Sequence, residues 1–223
     1  MGSHSSHRDF HRVIAIDGPA ASGKSSVARE LARRLGFVYV NSGAIYRAIT
    51  WHLLNKGIGG EDSDRVAQAL DSTSFTCGIH DGESRIRIDD VDPGDHLRDD
   101  PVNESVSRVS RVPLVREIVA KKLHEQARGE DVVVEGRDIG SVVFPETPYK
   151  FYVDASPEVR LRRRAAQGER DAITTRDYDD ISRPVSPLVV AKDAYVIDTS
   201  HLTIENVVGE IFAKLTKMGL AAE

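Results

Sequence analysis

The sequence predicts an α/β protein in which helices flank a parallel β-sheet, and two observations support this class. Short apolar runs alternate with longer helical stretches along most of the 223 residues, an order typical of strand–helix–strand crossovers. Five of the runs have the length of a buried strand. The alternation breaks over residues 58–111, where shorter elements indicate an α+β insertion. The chain is long enough to bury one core that carries such an insertion.

The composition is that of an ordinary soluble enzyme, with 29% charged and 6% aromatic residues. No apolar stretch approaches the ~20 residues that cross a bilayer, and residues 1–11 lack the apolar core of a signal peptide. We therefore expect a cytoplasmic protein without a membrane partner, and a disordered or tag-like segment over residues 1–11. The single cysteine, Cys77, fits a reducing compartment and is more typical of a half-buried side chain than of a nucleophile.

The charge is distributed unevenly along the chain. The net charge of −5 argues against a nucleic-acid partner. Between Ile58 and Asp100 there are twelve acidic and four basic residues, so this segment carries −8 and the rest of the chain +3. We therefore expect two regions with different surfaces: a core over residues 12–57 and 112–223, and an acidic insertion over residues 58–111.

The first half of the core begins with a strand over Val13–Asp17, a glycine-rich loop and a helix over Ser25–Leu35. In that helix Val27, Leu31 and Leu35 recur every four residues on one face. A second strand is predicted over Phe37–Asn41. Ser42 is placed to cap a following helix over Gly43–Asn55.

The insertion and the second half of the core follow in order. A helix over Glu61–Leu70 precedes a hairpin made of Thr73–Ile79 and Ser84–Asp89. The later predicted elements are a helix over residues 112–128, strands over Asp131–Glu135, Lys150–Asp154 and Ala194–Ile197, a helix opened by Pro157, a mobile segment over Gly168–Arg183, and a closing helix over Leu202–Lys217.

The loop after the first strand fits the pattern G-x-x-x-x-G-K-[ST]. Gly18 and Gly23 let successive amides turn inward, so that they and the helix N-terminus form a concavity for anionic oxygens. Lys24 would reach the β- and γ-phosphates, and the Ser25 hydroxyl would bind Mg²⁺. The alternative, a glycine-rich turn before an ordinary helix, is disfavoured by the flanking strand and helix. The predicted nucleoside triphosphate site comprises Gly18, Pro19, Ala20, Ala21, Ser22, Gly23, Lys24, Ser25 and Ser26.

Arginines near other strand ends indicate the phosphate acceptor. Arg47 follows the second strand, and Arg137 and Asp138 follow the third. Ligands of open α/β sheets bind beyond the carboxyl ends of the strands, and a guanidinium binds phosphate in a bidentate way. A single arginine of this kind more often forms a surface ion pair, worth about 0–1 kcal/mol. Two of them after a phosphate loop instead predict a small phosphate acceptor, with Asp138 accepting from an exocyclic amine and Arg116 and Ser107 contacting the rest of a base.

Further arginines lie toward the end of the chain. Arg160, Arg162, Arg163 and Arg164 fall on one predicted helix, where two would face the donor and two water; a nucleic-acid contact is the alternative. Arg170 and Arg176 lie in the aperiodic segment and could close onto the transferring phosphoryl group. If the stretch is helical, Arg176, Asp180 and Arg183 share one face, and Asp180 suits a ribose hydroxyl.

With these residues identified, the chain resembles the bacterial cytidylate kinases, within the nucleoside monophosphate kinase group of P-loop kinases. The likeness extends from Val13 to about Lys217. It rests on Ile16-Asp17-Gly18-Pro19, on Ser42-Gly43-Ala44-Ile45-Tyr46-Arg47 after Asn41, on Gly136-Arg137-Asp138-Ile139-Gly140, on Val142-Val143-Phe144-Pro145, and on Arg183-Pro184 continuing to Pro187-Leu188.

The resemblance implies a P-loop kinase core with a five-stranded parallel sheet, a monophosphate-binding insert over residues 58–111 and a short lid over about residues 165–177. It implies transfer of the γ-phosphoryl group of ATP to CMP or dCMP with Mg²⁺, by a protein that we expect to be a monomer. The expected catalytic residues are Lys24, Arg137, Arg170 and Arg176. Arg163 would join the loop in binding ATP, and Ser25 would bind the metal. The expected acceptor site comprises Ser42, Arg47, Ser107, Arg116, Arg137, Asp138, Arg176, Asp180 and Arg183.

The sequence is also compatible with other interpretations. Glu135 stands where some relatives have aspartate, so the role of this carboxylate near Mg²⁺ stays open. A kinase of the same architecture could act on UMP or shikimate, although an aspartate that accepts from the cytosine N4 amine should penalise UMP. A nucleotide-switch protein would hydrolyse its nucleotide slowly without an acceptor, and the sequence contains no base-specificity motif typical of that class.

Overall fold

The computed structural model describes residues 11–166, 180–183 and 186–220. The strands are β1 (Val13–Asp17), β2 (Val38–Asn41), β3 (Phe75–His80), β4 (Glu83–Ile88), β5 (Val132–Gly136), β6 (Tyr149–Asp154) and β7 (Tyr195–Asp198). The helices are α1 (Lys24–Leu35), α2 (Ser42–Asn55), α3 (Ser63–Asp71), α4 (Asp100–Val109), α5 (Pro113–Gly129), α6 (Pro157–Ala166) and α7 (Ile204–Lys217). A 3₁₀ turn at Gly94–His96 and a π-helical turn at Ile139–Val143 complete the regular elements. None of the helices in these ranges is long and apolar enough to cross a membrane.

Among the described residues, the sheet contains seven strands in the order β3-β4-β2-β5-β1-β6-β7. Five neighbouring strands are parallel to one another, namely β2, β5, β1, β6 and β7. This arrangement confirms the α/β class. The predicted number of five strands is wrong, because the hairpin β3–β4 joins the same sheet. Strand β4 runs parallel to β2 where Tyr39 pairs with Glu83, and the Tyr39 amide donates to the Gly82 carbonyl at 2.9 Å.

Apolar cores lie on both faces of the sheet. In β1, Val13 and Ala15 pack with α2 and α5 on one face, whereas Ile14 and Ile16 pack with α1 and α7 on the other. This two-sided burial explains why the central strands are continuous apolar runs rather than alternating ones. On the first face the core continues into the hairpin through Ile86.

Helix α4 is absent from the sequence-based prediction. Asp99 precedes it, and Pro101 occupies its first turn, where the missing amide costs nothing. Val102, Val106 and Val109 are its buried apolar side chains, and the helix packs against α2. So short an apolar stripe beside an acidic stretch carries a weak periodic signal, and packing against α2 stabilises the helix.

The predicted cap of α2 is also wrong. Asn41, not Ser42, is the N-cap residue, and its Oδ1 accepts from the Ala44 amide at 3.0 Å. Ser42 is the first helical residue, and its hydroxyl donates to the Glu135 carbonyl at 2.8 Å. The bond ties the start of α2 to the end of β5, so Ser42 links two elements instead of capping one.

Candidate active site

The glycine-rich loop has the backbone of an anion-binding turn. Gly18, Ala21 and Gly23 have φ values of 156°, 58° and 93°, which turn neighbouring amides toward one side. Helix α1 begins at Lys24 with no side-chain cap and no acidic residue in its first turn. Its first amides are therefore available to an anionic ligand.

Gly18 cannot be replaced without moving the loop. A Cβ atom built there lies 2.1 Å from the Val153 carbonyl oxygen of β6. We expect Gly18→Ala to lower the free energy of unfolding by about 3 kcal/mol, because the added methyl group overlaps backbone that cannot retreat. Urea denaturation checks this value.

Gly36→Ala is the matched control for Gly18→Ala. Gly36 also has a positive φ, 69°, but a Cβ there meets nothing within 4 Å. Gly36→Ala should lower the free energy of unfolding only by the strain of a left-handed alanine, about 1 kcal/mol. Equal losses for the two variants would show that the contact with Val153 does not constrain the loop.

Lys24 lies inside the cleft above the loop. Its side chain is buried, and its Nζ donates to the Pro19 carbonyl at 3.0 Å. Burial, together with the nearby Arg137 cation, lowers the Lys24 pKa to about 7. An anionic ligand that contacts this ammonium group would favour its charged form.

Ser25 and Glu135 bring oxygen atoms together beside Lys24. The Ser25 hydroxyl donates to Glu135 Oε1 at 2.7 Å, and the Tyr39 hydroxyl donates to the same oxygen at 3.1 Å. Glu135 is buried at the end of β5. Across the described ranges, no group of three or more His, Cys, Asp or Glu side chains could hold a metal ion by itself. The Ser25–Glu135 pair fits Mg²⁺, which commonly binds through one or two protein oxygens, substrate phosphates and water.

Two arginines of α6 hold the outer side of the loop. Arg160 Nη1 donates to the Ala20 carbonyl at 3.3 Å, and Arg163 Nη1 donates to the Ser22 carbonyl at 3.0 Å. Arg163 also donates to Thr199 Oγ1 at 3.0 Å. Of the other two, Arg162 is exposed and Arg164 lies half-buried at the cleft. Arg163 therefore contacts the glycine-rich loop directly, through the backbone carbonyl of Ser22.

Arg137 connects this donor side with a second group of charged residues. Its Nη1 donates to the Gly18 carbonyl at 2.8 Å, and its Nε donates to Asp180 Oδ2 at 2.7 Å. Arg183 donates to the other oxygen of Asp180 and to Ser110 Oγ, the latter at 3.0 Å. One guanidinium thus contacts both the phosphate loop and a carboxylate of the second group.

Asp138 accepts a hydrogen bond from Arg116 Nη2. The Asp138 side chain is only 5% exposed. Burial raises the pKa of Asp138, and the Arg116 and Arg183 cations oppose that rise. The arrangement is a buried carboxylate held by cations and directed to a small pocket.

The two sides open into adjoining cavities. A cleft of about 930 Å³ contains the donor loop together with Glu135, Arg137 and Arg163. A pocket of about 70 Å³ lies beside it. Arg47 and Arg137 line both, so they stand between the two cavities. The small pocket is lined by Ser42, Gly43, Tyr46, Arg47, Val106, Ser107, Ser110, Arg137, Asp138, Asp180 and Arg183.

Most of the predicted acceptor residues therefore meet at one place. Arg116 reaches the pocket through Asp138, and Arg47 Nη1 donates to the Gly43 carbonyl at 3.1 Å. Arg170 and Arg176 lie outside the described residues, as do residues 1–10 and most of the predicted lid. The first two residues of that lid, 165 and 166, belong to α6.

Tyr46 and Ser110 are pocket residues that the sequence reasoning missed. The Arg116 guanidinium lies 5.8 Å from the centre of the Tyr46 ring, and burial raises the Tyr46 pKa to about 12. The positions of both residues in the sequence could have indicated them. Tyr46 directly precedes the predicted phosphate ligand Arg47. Ser110 lies three residues after Ser107, one helical turn further along the chain.

Several cytidylate kinases are similar to this chain. The profile of the cytidylate kinase family matches residues 14–217. The cytidylate kinase of Caldanaerobacter subterraneus subsp. tengcongensis is 40% identical over 215 residues, which cover 92% of this chain and 94% of that protein. The cytidylate kinase of Rhodococcus opacus is 41% identical over 211 residues, covering 89% and 92% respectively. The cytidylate kinase of Pelotomaculum thermopropionicum is 41% identical over 215 residues, which cover 91% of this chain and 95% of that protein. The chain belongs to the cytidylate kinase family.

Proposed function

We propose that this protein transfers the γ-phosphoryl group of ATP to CMP or dCMP, giving ADP and CDP or dCDP. The observation that carries the proposal is the position of Arg137, which donates to the phosphate loop at the Gly18 carbonyl and also lines the small pocket. Membership of the cytidylate kinase family supports the same reaction.

ATP binds with its phosphates on the loop over residues 18–26. The inward amides and the start of α1 hold the β- and γ-oxygens, and Lys24 adds a positive charge beside them. Ser25 and Glu135 would hold Mg²⁺, which would supply positive charge to neutralise the β- and γ-phosphates. Arg163 contributes by fixing the carbonyl side of the loop.

CMP binds in the small pocket with its phosphate toward the cleft. Arg47 and Arg137 hold that phosphate, because they line both cavities. Asp138 accepts from the cytosine N4 amine while Arg116 and Ser107 contact the rest of the base. Asp180 holds the sugar, and Arg183 holds Asp180 in turn.

The reaction requires positioning and charge neutralisation more than a strong base. The acceptor is a phosphate dianion near neutral pH, so the two bound phosphates need only lie in line. We propose that Arg170 and Arg176 add positive charge as a lid over about residues 165–177 closes. Residues 58–111 serve as the monophosphate-binding insert.

We further propose that the enzyme acts as a cytoplasmic monomer in pyrimidine nucleotide metabolism, without a membrane or nucleic-acid partner. The net charge of −5 and the acidic residues of the insert support a surface that repels nucleic acid.

A phosphorylation panel tests the proposed function. ADP formation is measured with ATP, Mg²⁺ and each of CMP, dCMP, UMP, AMP and shikimate. CMP and dCMP should have kcat/KM values at least about 10²-fold above that of UMP, because uracil presents an acceptor where cytosine presents a donor. Equal use of UMP would contradict the role of Asp138. ADP formation that does not depend on any acceptor would favour a nucleotide switch.

A further inference from the structure

Asp17 ends β1 immediately before the phosphate loop, but its side chain serves the acceptor side. The residue is buried, at 4% exposure. Its Oδ1 accepts from the Ile139 amide and its Oδ2 from the Gly140 amide, each at 2.8 Å. These amides open the π-helical turn that directly follows Asp138.

Asp17 thereby caps a turn that another residue would be expected to cap. The residue before a helical turn commonly accepts from its first amides through its own side chain. Asp138 holds that position and makes no such bond, because its carboxylate lies against Arg116. Without Asp17, two buried amides would lack these acceptors, and an unsatisfied buried donor is costly.

The position of Asp17 follows from the sheet. Strands β1 and β5 are neighbours, with Asp17 opposite Gly136, so the chain leaving β5 passes over the end of β1. On the other side, Asp17 lies opposite Tyr152 of β6. Because β1 is paired on both sides, the backbone of Asp17 is held in place. Its carboxylate can therefore fix the position of the turn that follows Asp138.

We propose that Asp17 is a positioning residue for base recognition: by capping the turn at Ile139 and Gly140, it lets the Asp138 carboxylate stay on Arg116 and face the pocket of the acceptor base. This inference rests on the proposed function. It means that β1, the strand that leads into the phosphate loop, also contributes to the selection of the acceptor base.

The protonation of Asp17 gives the inference a distinctive signature. Burial raises the pKa of Asp17 to about 6, the two amide bonds oppose this rise, and Asp138 and Arg137 are the charged groups that act on it. Below that pH the carboxyl group carries a proton, which competes with one of the two amide donors. The cap, and with it the choice of base, should weaken as the pH falls through 6.

The substitution Asp17→Asn tests the proposal. The amide nitrogen would meet a backbone N–H, so one donor loses its acceptor. We expect the KM for CMP to rise about tenfold and the ratio of kcat/KM for CMP over UMP to fall about tenfold, while the KM for ATP changes less than about twofold. Equal changes in the KM values for ATP and CMP, or an unchanged CMP/UMP ratio, would overturn the inference.

Asp131→Asn is the matched control. Asp131 also joins β1 to β5, but at their amino ends, where its Oδ1 accepts from the Arg12 amide at 2.6 Å. This variant should lose stability without any change in the CMP/UMP ratio. A wild-type enzyme that fails to phosphorylate CMP would instead refute the proposed function, so the two failures are distinguishable.

Two pH measurements separate positioning from a general loss of structure. The effect of Asp17→Asn on kcat/KM for CMP should shrink from pH 7.5 to pH 5, because wild-type Asp17 becomes neutral; titration of the substrates is the same for both enzymes. In wild-type protein, the amide proton shifts of Ile139 and Gly140 should titrate near pH 6. A pH-independent effect of the substitution, or amide shifts that do not titrate there, would show that Asp17 has only a structural role.

Discussion

Lys24→Ala is expected to lower kcat for the phosphorylation of CMP by about 10²–10³-fold. Lys24 is a cation within the donor loop, with its Nζ on the Pro19 carbonyl, and a triphosphate would draw its ammonium group toward the transferring phosphoryl. In the variant, the negative charge that develops on the phosphoryl group during transfer would no longer be neutralised by this ammonium group. CMP binds in a separate pocket. The KM for CMP should therefore change less than about threefold. Initial rates of ADP formation at saturating ATP, with the CMP concentration varied through its KM, measure both quantities.

Lys56→Ala is the control for charge removal. Lys56 is exposed at the end of α2, where its Nζ donates to the Ala69 carbonyl at 3.3 Å, and its loss should leave kcat unchanged. If Lys24→Ala retained more than about a tenth of wild-type kcat, or reduced only the affinity for CMP, the donor-side role of Lys24 would be wrong.

Asp138→Ala is expected to lower kcat/KM for CMP by about 10²-fold or more and to bring UMP within about tenfold of CMP. The variant removes the acceptor for the cytosine N4 amine and also leaves the buried Arg116 guanidinium without this partner. Asp138→Asn keeps the shape and can donate to the uracil O4 atom, so it should favour UMP more than Asp138→Ala does. Steady-state kinetics with both nucleotides measure the change in base choice.

Two comparisons keep this prediction specific to the pocket. Unfolding in urea shows how much of the loss comes from stability. Asp193→Ala removes an ion pair with Lys150, at 2.8 Å, that lies outside the pocket, and it should leave the CMP/UMP ratio unchanged. Wild-type CMP kinetics in Asp138→Ala would show that the acceptor site lies elsewhere.

The parts of the fold that were predicted correctly carry strong local signals. The central strands are apolar runs of strand length, and α1, α5 and α7 have apolar residues at helical spacing. The errors fall where the signal depends on partners. The hairpin of β3 and β4 was recognised, but it joins the sheet through tertiary contacts, among them the pairing of Tyr39 with Glu83 and the core contact of Ile86. The residue pattern of a hairpin does not indicate which strand it will join.

The sequence by itself predicts the chemistry that we propose for each half of the site. A glycine-rich turn between strand and helix specifies an anion-binding backbone, and arginines placed after strands fall at the carboxyl edge of a parallel sheet. Both inferences use only neighbours along the chain.

Only the tertiary structure decided how the halves meet. Arg137 contacts Gly18 across 119 residues, and Asp17 caps Ile139 across 122 residues. Both contacts depend on β1 lying beside β5 in one register. Strand order and register arise from the packing of whole elements, which the residue pattern of a single strand does not encode.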